Sequence, residues 1–88
     1  MNIVINEISE NEFNVTVNDK LKTTHKVFLD QDLYFKITNG KITKHELIKL
    51  SFLFLLKKEP NTSILSNFRL NEIPNYFPDY MDNIKKCF

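Results

Sequence analysis

The first third of the chain alternates between apolar and polar residues, the pattern typical of half-buried β-strands. This alternation predicts one strand over 13–17 and another over 21–29, and the β-branched run at 3–5 adds a first strand whose register the pattern leaves open. Joined by a three-residue polar turn at 18–20, the two longer strands form an antiparallel pair whose lysines face water. The predicted cross-strand partners are Val17 with Leu21, Val15 with Thr23, and Phe13 with His25.

Helical signals begin after residue 29. Asp30 is a good N-cap residue, and the mixed apolar pattern over 31–38 is compatible with a short helix. Asn39 and Gly40 would end that helix, because glycine is the residue favoured just past a helix C-terminus.

A longer helix follows, and it is the strongest element that the pattern predicts. Thr43 and Glu46 have the spacing of a capping box, and Pro60 disfavours helical geometry in the residue before it, so the helix should end near Lys58. Apolar residues cover nearly every direction of its second half, between Leu50 and Leu56. A helix that is apolar all round is buried on most sides, either in the core or at a subunit interface.

The remaining residues predict a short helical tail. Asn61 or Thr62 would cap a first turn that docks apolar groups on the long helix, and Pro74 and Pro78 fit the first turns of two more short segments. The whole chain, 1–88, is therefore predicted to be a single α+β domain. Its residues 1–29 form a two- or three-stranded antiparallel meander, and its residues 30–88 are mainly helical.

The C-terminal part resembles a group of small, uncharacterised bacterial proteins. The resemblance rests on Glu59-Pro-Asn-Thr-Ser-Ile-Leu-Ser-Asn-Phe68, followed by Leu70, Ile73 and Tyr76-Phe77-Pro78-Asp79-Tyr80. Members of this group similarly place strands first, then an apolar helix, then E-P-x-x-S-I-L-x-x-F-x-L-x-x-I-x-x-Y-F-P-x-Y. No activity is assigned to the group, so the resemblance implies no catalytic residue, cofactor or partner.

Composition narrows the functional classes. With 88 residues, a formal net charge of +1 and 42% hydrophobic residues, the chain has the profile of an ordinary globular domain. The single Cys87 cannot form an internal disulfide, no signal-peptide pattern occurs over 1–13, and no apolar run approaches the length of a membrane span. These features predict a cytoplasmic protein without a membrane segment.

The residue types that carry catalysis or bind cofactors are sparse. The one glycine cannot build a phosphate-binding loop, and one cysteine with two histidines does not make a zinc ligand set. We therefore predict no enzyme activity, no metal, no cofactor and no small-molecule ligand. His25 is a weak candidate for a polar site, either hydrogen-bonded at the sheet margin or paired with a tail carboxylate such as Glu72 or Asp79. His45, in the first turn of the long helix, is interpreted as inert.

Several lysines of the long helix raise the question of nucleic-acid binding. Lys44, Lys49, Lys57 and Lys58 make the helix basic where it is not apolar. The interpretation we favour is a solvated rim, because net charge is near zero and Arg69 is the one arginine, the residue best suited to bidentate phosphate or guanine contacts. Nucleic acid is therefore not the predicted partner.

The chain has more aromatic residues than a core of this size is expected to bury. Such an excess favours an interface, so the predicted function is a non-enzymatic protein-interaction module that forms a homodimer, through the apolar helix or the sheet edge, or binds another protein. The alternative is a small nucleic-acid-binding or antitoxin-like regulatory protein. The candidate interface residues are Phe52, Phe54, Leu55, Phe68, Tyr76, Phe77 and Tyr80.

Overall fold

A computed structural model describes residues 2–88 of the chain. Within them, strands and helices follow one another in an α+β order, with two short 3-10 turns in the tail. The strands are β1 (Asn2–Ser9), β2 (Glu12–Asn18), β3 (Lys22–Phe28) and β4 (Asn67–Arg69). The helices are α1 (Gln31–Thr38), α2 (Lys44–Lys58), α3 (Ile73–Tyr76) and α4 (Tyr80–Lys85), and the 3-10 turns are Asn61–Ser63 and Leu70–Glu72.

The sheet is mixed, and it is larger than the predicted meander of two or three strands. The described residues form a sheet in the order β1-β2-β3-β4, in which the first three strands are antiparallel and β4 runs parallel to β3. The three-residue β4 was missed, because 67–69 was interpreted as part of a capped turn on the long helix. A strand this short carries no readable alternation, and its partner lies far away in sequence.

The predicted register of the β2–β3 hairpin is wrong by two residues. Val15 faces His25 and Phe13 faces Val27, because the loop between the strands is 19–21 rather than 18–20. A slip of two residues keeps every side chain on the predicted face, since the side-chain period of a strand is two. Leu21, which was expected in the strand, is instead exposed in the loop.

The helix boundaries confirm the capping analysis. Asp30 caps α1 by accepting a 2.7 Å hydrogen bond from the Leu33 amide, and Asn39 ends the helix in the left-handed conformation at φ 53°. Thr43 and Glu46 form the reciprocal capping box of α2, which runs to Lys58 as predicted. This box also holds the pKa of Glu46 below its usual range, because its carboxylate accepts hydrogen bonds from the Thr43 amide and hydroxyl.

The helices pack on one face of the sheet and leave the other face to solvent. The apolar residues of β2 and β3 that point toward the helices join one core cluster with side chains from α1, α2, the tail and α4. The opposite face carries residues such as Asn14, Thr16, Thr24 and Lys26, which are half-buried or exposed. This one-sided covering is the arrangement that the alternating pattern predicted.

Helix α2 is buried along one side but not all round, so the prediction of burial on most sides is wrong. Its buried residues are Leu47, Ile48, Ser51, Phe52, Phe54 and Leu55. Leu50 and Leu56 are only partly buried, and Leu53 is 39% exposed. The helix runs along the sheet, since Lys44 at its start hydrogen-bonds the Glu10 carbonyl while Asn61, beyond its end, bonds the Leu21 carbonyl.

Candidate interaction surface

Strand β1 presents an open sheet edge. It is hydrogen-bonded to β2 on one side, and no strand in residues 2–88 pairs with its other side. An edge strand turns alternate backbone N–H and C=O groups outward, which makes it a template for pairing with another chain. At eight residues β1 is long for an edge, whereas the opposite edge strand, β4, has three residues.

The usual protections of an edge strand are scarce along β1. Residues 2–6 contain no lysine, no proline and no charged side chain, and Glu7 is the first charge. The ladder shifts register between Glu7 and Ser9, so a bulge disturbs the end of the strand and leaves 2–6 as its regular part. Val4 is 40% exposed on the outer face of the sheet, and Ile3 and Ile5 are only partly covered by the core.

One flank of α2 continues this edge on the helix side of the sheet. Helix α2 lies against β1, and His45 borders the same surface cleft as Ile5 and Glu7. Each step of four residues turns about 40° further round a helix, so Lys49 and Leu53 turn progressively away from His45 toward solvent. The exposed part of Leu53 therefore lies on the outer side of α2, and His45 is the residue of this flank that borders the β1 edge.

A second apolar surface is a groove between the end of α2 and the tail. Its volume is about 370 Å³, and its lining residues are Leu55, Glu59, Ser63, Ile64, Leu65, Phe68, Glu72, Ile73, Tyr76 and Phe77. Tyr76 is 64% exposed at this groove, which makes it one of the most accessible apolar side chains that the structure describes. Most of the lining residues belong to the motif singled out in the sequence, which therefore folds into one surface feature.

The seven aromatic and aliphatic residues proposed as an interface are divided between the core and the surface. Five of them are buried within the chain: Phe52, Phe54, Leu55, Phe68 and Tyr80. Of these, Leu55 and Phe68 form part of the floor of the groove. The rings of Phe54 and Tyr80 pack edge to face with centroids 5.3 Å apart, a contact inside the core. Tyr76 is exposed and Phe77 is half-buried, so these two are the accessible members of the set.

His25 lies in a buried polar network. Its side chain is 1% exposed, its Nδ1 is 2.8 Å from the Leu65 carbonyl oxygen and its Nε2 is 2.8 Å from the Thr23 hydroxyl. The Asn61 amide donates both to that hydroxyl and to the Leu21 carbonyl. Because a carbonyl only accepts, Nδ1 carries a proton, and the Thr23 hydroxyl is then free to donate to Nε2.

This network decides between the two interpretations of His25. The tail carboxylates Glu72 and Asp79 are not its hydrogen-bond partners, and both ring nitrogens are engaged by groups that do not titrate. The side chain ties β3 to the segment before β4 and is covered by Phe52, whose ring centroid is 5.4 Å away. Asn61, predicted to cap a turn with its side chain, instead joins this network. His45 is exposed.

Tyr80 and Ser51 form a second buried polar contact, between α4 and α2. Ser51 Oγ donates to the Leu47 carbonyl at 2.8 Å, so the Tyr80 hydroxyl, 2.6 Å away, donates to Ser51 Oγ. Burial raises the pKa of Tyr80 to about 12, because the phenolate would lose its hydration inside the core.

The raised pKa of Tyr80 predicts a loss of stability in alkali. In the unfolded chain the phenol ionises near pH 10, whereas in the folded chain it stays protonated to about pH 12. The contribution is therefore complete below pH 10 and declines as pH rises toward 12. The urea midpoint measured at pH 9, 10 and 11 should fall more steeply for the wild type than for Tyr80→Phe. Parallel profiles of the two proteins would contradict the buried position of Tyr80.

Three of the lysines make contacts with groups of their own chain. Lys58 pairs with Asp79 at 2.8 Å, and this contact holds the pKa of Asp79 below its usual range. Lys26 lies 3.8 Å from Glu12, and Lys44 is directed to the β1–β2 turn. These pairs are exposed, so they orient side chains but contribute little stability.

The sequence pattern pointed to the apolar helix or the sheet edge as the interface, but it did not identify which strand forms the edge, and most of the candidate side chains are buried. The β-branched run at 3–5, which lacks lysine, was a signal for an open edge, but the register of this strand and the order of the strands in the sheet were unknown.

Among residues 2–88, no cluster of three or more His, Cys, Asp or Glu side chains is placed to hold a metal ion. In the same range, no helix has the length and apolar character needed to cross a bilayer.

Comparisons with protein-family models, with curated proteins and with solved structures give no match for this chain. The resemblance to the small bacterial group therefore stays a prediction from the motif, and the function has to be argued from the surfaces described above.

Proposed function

We propose that this chain is a non-enzymatic protein-interaction module whose partner is a second copy of itself. The observation that carries the proposal is the open edge of β1, where residues 2–6 offer backbone hydrogen bonds and apolar side chains without a charged residue to repel a neighbour. Strand addition at a free sheet edge is a recurrent mode of protein recognition, in which the backbone supplies affinity and the side chains supply specificity.

Two features support an interaction role over catalysis. His25, the residue on which an enzyme hypothesis would depend, has both ring nitrogens occupied and lies under Phe52. Two of the exposed apolar side chains, by contrast, lie at surface features that a partner could reach, Val4 at the edge and Tyr76 at the groove. The core residues Phe52, Phe54 and Leu55 take no part in the proposed association.

The alternative of a nucleic-acid-binding or antitoxin-like protein receives less support. Such a protein needs several cations directed at phosphates, and here Lys26, Lys44 and Lys58 make contacts within their own chain. Near-zero net charge weighs in the same direction. We therefore do not adopt this alternative.

Sedimentation velocity tests the proposal. Between about 1 and 100 µM, the range in which weak to moderate homodimers assemble, the average mass should rise from that of a 10.5 kDa monomer toward twice that value. A monomer over the whole range would refute self-association. A Tyr76→Ser variant, altered at the groove and not at the edge, should associate as the wild type does, and loss of association in this variant would move the contact to the groove.

A further inference from the structure

We infer that the dimer forms by antiparallel pairing of β1 with β1 of the partner subunit, with the two-fold axis at Val4. The inference rests on the proposed self-association and adds its geometry. The regular part of β1, Asn2-Ile3-Val4-Ile5-Asn6, reads the same in both directions. Antiparallel pairing about its centre therefore places like residues opposite each other.

The cross-strand pairs of this register are chemically matched on both faces. Val4 faces the partner's Val4 on the outer side of the sheet, and Ile3 faces the partner's Ile5 on the helix side. Asn2 lies opposite the partner's Asn6 at the margins, where two amides can exchange hydrogen bonds. Directly opposite residues on neighbouring strands approach to within about 5.5 Å. A shift of the axis to Ile5 would set Ile3 against Glu7, so the centre at Val4 is the register that the side chains favour.

Charges at the two ends of the strand favour the antiparallel orientation. Glu7 and Glu10 outnumber Lys44 at the β1–β2 turn, and Lys20 and Lys22 outnumber Asp19 at the β2–β3 loop beyond the other end of β1. Antiparallel pairing brings the acidic end of each copy beside the basic end of its partner, whereas a parallel pair would bring like ends together. These side chains are exposed, so they set orientation more than affinity.

The second layer of the fold enlarges the contact. A two-fold axis perpendicular to the joined sheet puts both α2 helices on the same face, one on each side of the axis. The flank of α2 that borders β1 at His45 then lies toward the same flank of the partner. Five residues of strand alone bury less than the roughly 800 Å² per partner of a standard interface. The approach of the two helices therefore adds to a contact that the strands begin.

The joined sheet would contain eight strands in an unbroken ladder, ending on each side in the three-residue β4. Both edges of the dimer are then short, and Arg69 lies in each of them. Short, charged edges are a common protection against further strand addition. Strand pairing therefore stops at two copies, and the dimer does not extend into a fibre.

A charge-exchange experiment tests this register. Val4→Lys places two like charges on the axis of the dimer while leaving a residue that is already partly exposed on a polar face in the monomer. We expect this variant to weaken the dimer about 100-fold, since facing like charges cost several kcal/mol at an interface. Val4→Glu should behave in the same way. An equimolar mixture of the two should restore a mixed dimer, detected by native mass spectrometry.

The matched control is Thr24→Lys, which adds the same charge to the same face of the sheet, on β3 and away from the edge. It should associate as the wild type does. If Val4→Lys dimerises normally, or if Thr24→Lys dissociates as fully, the β1 interface is refuted while self-association stands. If both charged variants are monomeric but their mixture stays monomeric, Val4 does not face itself and the register is wrong. A monomeric wild type refutes the proposed function itself.

A disulfide provides a measurement that does not depend on how charged variants fold. In a Cys87→Ser background, Val4→Cys should form an interchain disulfide under mild oxidation, because facing residues on paired strands fall within the Cα separation of about 4.4–6.8 Å that disulfides need. The Thr24→Cys variant in the same background should stay monomeric on a non-reducing gel. Equal cross-linking of the two variants would contradict the axis at Val4.

Discussion

Replacing Phe52 with alanine is expected to lower the free energy of unfolding by about 3–5 kcal/mol, the usual cost of removing a buried phenylalanine ring. Phe52 is fully buried, and its ring contacts those of His25 and Phe68, with centroids 5.4 and 6.0 Å away. It therefore joins α2 to both β3 and β4. A domain of this length has a free energy of unfolding of about 4–13 kcal/mol, so the substitution removes a large part of the total stability. Urea unfolding followed by far-ultraviolet circular dichroism measures it.

Phe35→Ala is the matched control for this substitution. Phe35 is exposed on α1, so the same chemical change should shift the free energy of unfolding by no more than about 0.5 kcal/mol. Both variants should be compared at one low protein concentration, so that association contributes equally. Equal losses in the two variants would contradict the central position of Phe52.

Replacing His25 with alanine should cost about 3 kcal/mol, even though a histidine is rarely a main contributor to a core. The substitution removes the partner of the Leu65 carbonyl and one of the two partners of the Thr23 hydroxyl, and it leaves a void beside Phe52. Unsatisfied buried polar groups cost about 1–3 kcal/mol each, and the void adds to that. His45→Ala, at an exposed position of α2, should stay close to the wild type under the same urea titration.

Hydrogen exchange can show that the effect of His25→Ala begins at β4. His25 and the backbone bond from the Lys26 amide to the Ser66 carbonyl attach the segment before β4 to the sheet. The amides of β4 should therefore lose protection earlier and more strongly than those of the β1–β2 ladder. Uniform loss of protection across the sheet would show that the histidine acts on global stability alone.

Features that depend on residues close together in the sequence were predicted correctly, whereas features that depend on distant residues were not. The start and end of α2 were predictable because Thr43, Glu46 and Pro60 act within a few residues of the backbone groups they affect. The faces of β2 and β3 were predictable for the same reason. The register between them was not, because moving the three-residue loop by one position shifts every pair by two residues without altering the alternation.

Features that depend on the whole chain could not be predicted from local patterns. The pairing of β3 with β4 depends on a return of the chain across the helices, and the sequence of Asn67–Arg69 alone does not indicate it. The burial of Phe68 and Tyr80 follows from that return, which is why both were assigned to an interface. The open edge of β1 became visible only when the order of the strands was known.

The parallel pairing of β3 with β4 also has a consequence for synthesis on the ribosome. The contact between His25 and Leu65 spans 40 positions of the chain. At about 5–20 residues per second, those positions take roughly 2–8 s to translate. During that interval the strands that have already emerged expose an unpaired sheet edge at β3 as well as at β1. Nascent chains on neighbouring ribosomes of one messenger RNA are therefore most prone to pair with each other during this interval. The interval ends when Phe68 emerges and β4 can pair with β3.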